Sequence, residues 1–395
     1  MIYEKYYKIR LEVITPIHIG HDEVFTPLEF VIDKDMQKMI VFSLFDLLNC
    51  LTPEESSELE KISDMKGVQA LVNLYRFYAY RIKDKVKNLP GIKSYKVPME
   101  LANRYEEILK YTNERDILRN FNAFEIPRTY FNPYTDEPVI PGSSLKGALR
   151  TGYLTSILSN LNHTTRRKEN LQSLQKLLEN ISRITVNTPK KVISKLFHDL
   201  EKTLLEYDEI KEDPFNLLKI SDLTCVNNIS TEILYAVNVS KSKGEIRGRL
   251  TLPLEVIPSG AVFEGTLTIE SKRRDIKEGI DFNKLIEGAF KHYFRSVYNK
   301  EKKDILEKLG FKNIPISLNQ AQALKEKKAV LLKLGKHSGA EAMTLERIRK
   351  ILITKAGGRR EYAESPTTFW LASKSKKDLR EALPFGWAIF YFEPM

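Results

Sequence analysis

The stretch at 139–151, VIPGSSLKGALRT, holds the densest group of side chains able to grip an anion. Ser143 and Ser144 offer hydroxyls. Lys146 and Arg150, four apart, share one face of any helix that starts here. Ile140-Pro141-Gly142 interrupts regular structure, because Pro lacks a donor and Gly admits backbone angles that other residues avoid. Either serine can cap the helix that follows. A helix start carries free N–H groups and the positive end of a dipole, so it attracts anions. Leu145 and Leu149 fall on the face such a helix would bury. Two readings stay open: a phosphate-binding helix start, or a capped helix with solvated cations. It is not a nucleotide-hydrolase phosphate loop, because Gly142-x4-Gly147 is followed by Ala148 where that loop carries lysine.

Two further groups could do chemistry. His18 and His21, beside Asp22, form the tightest cluster among six scattered histidines. Imidazole titrates near neutrality, so either could serve as general acid or base in RNA cleavage. The alternative is a turn that packs or touches phosphate. The Gly335-Lys336-His337-Ser338-Gly339 loop resembles an anion cradle of bare backbone N–H groups, with Lys333 and Lys336 adding charge. Arg247-Gly248-Arg249 and Lys272-Arg273-Arg274 are basic turns.

The elements that must position these groups read as α+β. Residues 6–15 alternate, with Tyr7, Ile9, Leu11 and Val13 on one face, which predicts a half-buried strand. A hairpin is expected over 28–42, and Ser43 starts a short helix. Apolar residues from Val68 to Val86 recur with helical spacing, and a polar helical stretch follows from 99 to about 120. We read about 45–120 as a helical insertion and about 163–213 as a helical extension. Strands are expected near 215–226, 233–239, 250–257, 261–270, 329–334 and 385–392, with helices over 282–298 and 343–354. The order suggests two tandem α+β modules with four-stranded antiparallel sheets, 1–213 and 214–395.

Length permits two cores. The formal net charge of +11 and pI near 9.2 favour a polyanionic partner, and 18 Tyr and 19 Phe could stack on bases. The apolar runs are too short for a membrane span, and the first residues read as a strand rather than a signal peptide, so a cytoplasmic protein without a membrane partner is expected. Two cysteines, Cys50 and Cys225, cannot build a disulfide framework or a zinc site. No cofactor is expected.

Several segments, in order, are similar to the RAMP superfamily of CRISPR effector proteins. They are Thr15-Pro16-Ile17-His18-Ile19-Gly20, then the 140–151 motif, then Glu255-Val256-Ile257-Pro258-Ser259-Gly260-Ala261-Val262-Phe263, then the 335–339 loop. With Asn132-Pro133-Tyr134-Thr135, Leu218-Lys219-Ile220-Ser221-Asp222 and Leu383-Pro384-Phe385-Gly386-Trp387, the whole chain resembles the fifth-subunit family of the type III-A (Csm) complex. The resemblance implies ferredoxin-like (RRM-like) modules. It implies a subunit that caps a filament of backbone RAMP subunits near the 3′ end of the crRNA. It also implies support of crRNA maturation and antiviral defence without a nuclease centre. Its implied partners are crRNA, the backbone and small subunits of the complex, and host trimming nucleases. The RNA-binding set it suggests is His18, Gly20, Gly142, Ser143, Ser144, Lys146, Arg150, Arg247, Arg249, Lys333, Gly335, Lys336 and Gly339. The family loop reads closer to Gly-x-Gly-Ser-Gly followed by an aromatic; here His337 stands at the middle glycine and Ala340-Glu341-Ala342 follows. Two other readings remain: an endoribonuclease for precursor crRNA using His18 or His21, and a protein adaptor that recruits a trimming nuclease.

Overall fold

The computed structural model describes residues 4–110, 115–116, 124–161, 168–247, 251–271, 275–276 and 279–395. Alternation in Glu4–Val13 buries Tyr7, Ile9, Leu11 and Val13 on one face. Both edges of this strand need partners. It pairs antiparallel with Val262–Glu270 on one side and Trp387–Pro394 on the other. The sheet extends from Trp387–Pro394 to Ala329–Lys333, and from Val262–Glu270 through Leu223–Cys225 to Val139–Ile140. Leu218–Ile220 also pairs with Val262–Glu270.

A second sheet runs in the order Leu383–Pro384, Thr368–Ser373, Glu232–Ser240, Lys93–Lys96, Lys38–Val41 and Phe30–Asp33, with Leu252–Val256 also against Glu232–Ser240. Its pairings are antiparallel except for a single parallel pair, Glu232 with Lys96. The α+β class with antiparallel sheets is therefore what the chain adopts. The expected boundary at 213/214 does not separate the sheets, because hydrogen bonding crosses it in both. The first strand finds its partners in the second half of the chain, not in the 28–42 hairpin.

Two local expectations change. The insertion is not wholly helical: Lys93–Lys96 alternates, buries Tyr95 and joins the second sheet. Its helices, Leu44–Cys50, Pro53–Ser63 and the run 68–86, pack on one face of the hairpin. Period-2 alternation splits the hairpin's side chains, so Val31, Ile40 and Phe42 join Leu47, Phe77, Tyr78 and Ile82, while Phe30, Ile32 and Met39 join the main core. The helix expected over 343–354 is also absent. Only Ala340–Met343 is helical, Arg347 takes a positive φ of 73°, and Ile351–Thr354 forms a ribbon with Arg360–Ala363. Apolar residues at 345, 348, 351 and 352 mimic helical spacing, but β-branched Ile351 and Ile353 favour the strand.

Candidate nucleic-acid interface

The first sheet brings the singled-out turns to one end. Register places Val13 beside Ala388, Glu12 beside Val262 and Lys333 beside Trp387. The 15–20, 258–261, 335–339 and 383–386 segments therefore emerge together. Backbone bonds join them: Lys336 N–H to His18 O (2.8 Å), Gly386 N–H to Pro16 O (2.9 Å), Leu334 N–H to Gly386 O (2.8 Å) and Ile17 N–H to Ile257 O (3.0 Å). Gly335 makes this possible. Its φ is +79°, and a Cβ there would lie 2.5 Å from His18 O. This glycine fastens two turns to each other rather than opening a path to phosphate.

His18 lies inside the joint, 1% exposed, with Nδ1 2.8 Å from Glu255 O. Burial holds its pKa below the usual imidazole value, and Lys336 adds to the effect. Its ring is enclosed by the joint and hydrogen-bonded within the fold. Glu255 itself is buried. Its carboxylate accepts from Thr129 N–H (3.0 Å), Thr231 Oγ1 (2.7 Å) and Arg128 Nε (3.4 Å). Arg128 also pairs with Asp136 (2.6 Å) and lies 3.7 Å from the Phe131 ring centroid. Burial pushes the Glu255 carboxyl up, against the Arg128 charge and its hydrogen bonds. Sequence reasoning missed this network. The signal is an acid enclosed in the apolar run 252–257 and an arginine within the aromatic-rich segment 126–131.

The 335–339 loop has positive φ at Gly335, His337 (67°) and Gly339, and not at Lys336 or Ser338 between them. Such alternation forms a concave backbone nest suited to anions. The N–H of His337 meets no acceptor among the described residues, while Ser338 is buried at the close of the turn. Ser338 Oγ donates to Gly335 O (2.8 Å), which braces the turn. His337 occupies the left-handed position that the family pattern gives to glycine. Its ring lies 4.5 Å from Trp370 and 5.3 Å from Phe385, and burial, with His18 and Lys336 nearby, pushes its pKa down to about 4. Lys336 is exposed, and its Cδ lies 3.8 Å from where a Cβ on the exposed Gly20 would be. Lys333, by contrast, is buried, paired with Glu301 and 4.9 Å above the Trp387 ring, so it braces the core.

Helix Gly142–Ser159 begins differently from expectation. Pro141 precedes it and no side chain of its own caps it, so neither Ser143 nor Ser144 is the cap. Gly142 N–H donates instead to the Asp222 carboxylate (2.8 Å), an anion supplied from the 218–222 motif. A Cβ on Gly142 would lie 2.6 Å from Ser221 O and nearer still to Ile220 O. Leu145 and Leu149 are buried as their spacing predicts. Arg150 is held by Glu201 and by Asp213 (2.8 Å), 4.7 Å from the Phe215 ring, so its charge is spent inside the fold. Ser143 is exposed; Ser144 and Lys146 are half-buried. Lys146 makes no ion pair among the described residues, and burial, with Lys219 nearby, lowers its pKa. In the sheet this helix follows one edge strand and the 335–339 loop follows the other. Five inter-strand gaps of about 4.8 Å separate the two edge strands by about 24 Å across the sheet.

Arg247 is exposed and away from these turns in the chain, its N–H bonded to Asn238 O (2.7 Å). Arg249 lies outside the described residues, as does 272–274. His21 is half-buried, its ring 5.4 Å from Tyr130 and 5.5 Å from Phe131. Among the described residues no group of three His, Cys, Asp or Glu is placed to hold a metal, and no helix is long and apolar enough to cross a membrane.

An antiparallel α+β fold thus brings its glycine-bearing turns together at one end of a sheet. The RAMP superfamily model matches residues 10–338, and the chain belongs to that superfamily. It is similar to the CRISPR system Cms protein Csm5 of Methanocaldococcus jannaschii, 24% identical over 308 residues, which are 76% of this chain and 60% of that relative's length. A chain in the cryo-EM structure of a Csm–crRNA–target RNA ternary complex from a type III-A CRISPR–Cas system matches with a TM-score of 0.60 at 19% identity, covering 98% of this chain and 100% of that one. The crystal structure of Csm5 from T. onnurineus matches with a TM-score of 0.50 at 15% identity, covering 96% and 99%.

Proposed function

We propose that this chain is the fifth subunit of a type III-A CRISPR (Csm) effector complex, that it binds the 3′ region of crRNA, and that it caps the filament of backbone RAMP subunits. It supports crRNA maturation without a nuclease centre of its own. Its partners are crRNA and other Csm subunits. The observation that carries RNA binding is the pairing of the 15–20 turn with the 335–339 loop, which sets exposed Lys336 and Gly20 beside a concave run of backbone N–H groups. Such a surface grips phosphate and ribose without reading bases, as a protein that accepts any guide sequence requires. Burial of His18 argues against the endonuclease reading.

Labelled single-stranded RNA titrated with the pure protein tests the proposal. Binding should show little sequence preference and weaken steeply between about 50 mM and about 200 mM salt. Incubation with labelled repeat RNA without metal separates the enzymatic reading. Intact RNA is expected, and cleavage that disappears in His21→Ala protein would replace the proposal.

A further inference from the structure

The segment that leaves the 335–339 loop carries arginines that no carboxylate among the described residues has paired. Arg347 is exposed and makes neither a hydrogen bond nor an ion pair among those residues. It holds a φ of 73°, in the left-handed region where a bulky residue is strained. Strain of that kind persists where the surrounding structure fixes it, and it gathers at ligand-binding turns. Arg349 is 7% exposed. Its Nε donates to Thr344 Oγ1 (3.2 Å) and its Nη2 to the Glu341 carbonyl (2.9 Å), both neutral acceptors. Burial disfavours its charge, and Glu346, Glu341 and Glu364 act in the other sense without reaching ion-pair distance. Two of those acids are engaged elsewhere. Lys241 and Ser365 hold Glu341, and Lys300 and Ser296 hold Glu346. Glu364 is exposed. A buried guanidinium with only neutral partners is costly, and an incoming anion relieves that cost.

Two cavities meet at these arginines. The first, about 450 Å³, is lined both by His337, Ser338 and Gly339 of the loop and by Arg347, Arg349 and Glu364. The second, about 520 Å³, shares those last three and adds Lys350 and Tyr362. Half-buried Trp370 also lines the first, with its ring 4.5 Å from that of His337. Space of this size takes a nucleotide-sized ligand. An acidic protein segment would also suit the arginines. Continuity with the loop and an aromatic wall favour a nucleic-acid strand instead, because bases stack on rings while cations follow the backbone.

We propose that a single-stranded RNA held at Lys336 and the His337 N–H continues through the first cavity, where Arg347 and Arg349 take its next phosphates and Trp370 takes a base. This second subsite rests on the RNA-binding reading of the 335–339 loop and extends it along 340–349. The arginines here differ from Arg150, whose charge Glu201 and Asp213 already hold.

The test titrates a labelled oligouridine into the full chain and its variants at several salt concentrations. Arg347 has no partner in the fold among the described residues, so Arg347→Ala should keep the wild-type melting temperature. Its affinity should fall about threefold to tenfold and its slope of log K against log salt by about 1. Arg347→Lys keeps the charge and should keep the slope. Separate phosphates make losses add, so Lys336→Ala/Arg347→Ala should lose about 2 from the slope. Of the two tryptophans Trp387 is fully buried, so emission that changes with RNA reports Trp370, and saturating RNA should quench it. Wild-type affinity and slope in Arg347→Ala, beside a weakened Lys336→Ala, overturn the second subsite and leave the loop reading standing. A double variant no weaker than Lys336→Ala overturns it too, because one phosphate then serves both cations. Unquenched emission at saturation takes RNA out of the cavity and overturns the path. Normal RNA binding by Arg347→Ala, with failure to join co-expressed Csm subunits and crRNA, assigns the turn to a protein neighbour and also overturns it. Wild-type RNA binding that ignores salt overturns the loop reading and this inference together.

Discussion

The helix start at 141–150 and the loop at 335–339 both combine glycine, serine and lysine, and they follow opposite edge strands of one sheet. At the helix start the Gly142 N–H and Arg150 already have internal partners, while Ser143 and Lys146 have none among the described residues. Asp222 takes the Gly142 N–H, Glu201 and Asp213 take Arg150, and Gly142 is seated against the 220–221 backbone. At the loop, Gly335 is equally committed, but Lys336 and the N–H of His337 remain open. Similar composition thus ties up the arginine at one site and leaves the lysine of the other exposed. What separates them is whether a carboxylate of the chain reaches the positive groups before a ligand can.

Substitutions can break or sharpen this contrast. The largest effect is expected for Gly142→Ala, because its Cβ would press on backbone oxygens that cannot step aside. Overpacking of that kind costs about 3 kcal/mol, read as a lower urea midpoint. Arg150→Ala strands Glu201 and Asp213. The side chain is 21% exposed, so a loss of about 1–2 kcal/mol is expected after allowance for solvent. RNA affinity should be unchanged, and a matching loss of affinity would assign Arg150 to the ligand instead.

Three histidines make the fold sensitive to acid. Burial lowers the pKa of His18, and takes His292 and His337 down to about 4. The unfolded chain then binds more protons than the folded one across that interval. Stability is full above about pH 6.5 and lost as pH falls towards 4. Glu255, pushed up by burial, acts in the opposite sense, so the histidines set the sign only if they outweigh it. Urea midpoints at pH 7 and pH 5 should show the fall, and His292→Asn should flatten it. The smallest effect belongs to His337→Gly. Removing the left-handed non-glycine backbone gains about 0.5–1 kcal/mol, and losing ring contacts with Trp370 and Phe385 offsets it. A midpoint shift beyond the equivalent of about 1 kcal/mol would show that one of these two terms dominates.

Much of the fold is legible in local pattern. Alternation marks Glu4–Val13 and Val262–Glu270, and helical spacing marks the runs at 68–86 and 282–298. The sharing of sheets between the two halves is not, because period-2 alternation tells which face a strand buries but not which strand lies beside it. The same limit governs the site. Residue types point to Ser143, Lys146, Arg150, Lys333 and Lys336 alike. Only the fold reveals that Glu201 and Asp213 hold Arg150, that Glu301 holds Lys333, and that Lys336 stands clear. Glu255 and Arg128 escape notice for the converse reason: their partners lie 127 residues apart in the chain.

The contrast between the two ends of the sheet is tested most directly by the salt dependence of RNA affinity in Lys336→Ala and Arg150→Ala proteins, measured side by side with wild type. Lys336→Ala should weaken binding about threefold to tenfold for every sequence and reduce the slope of log K against log salt by about 1, while Arg150→Ala keeps both affinity and slope. An unchanged slope in Lys336→Ala together with a reduced slope in Arg150→Ala would contradict the account.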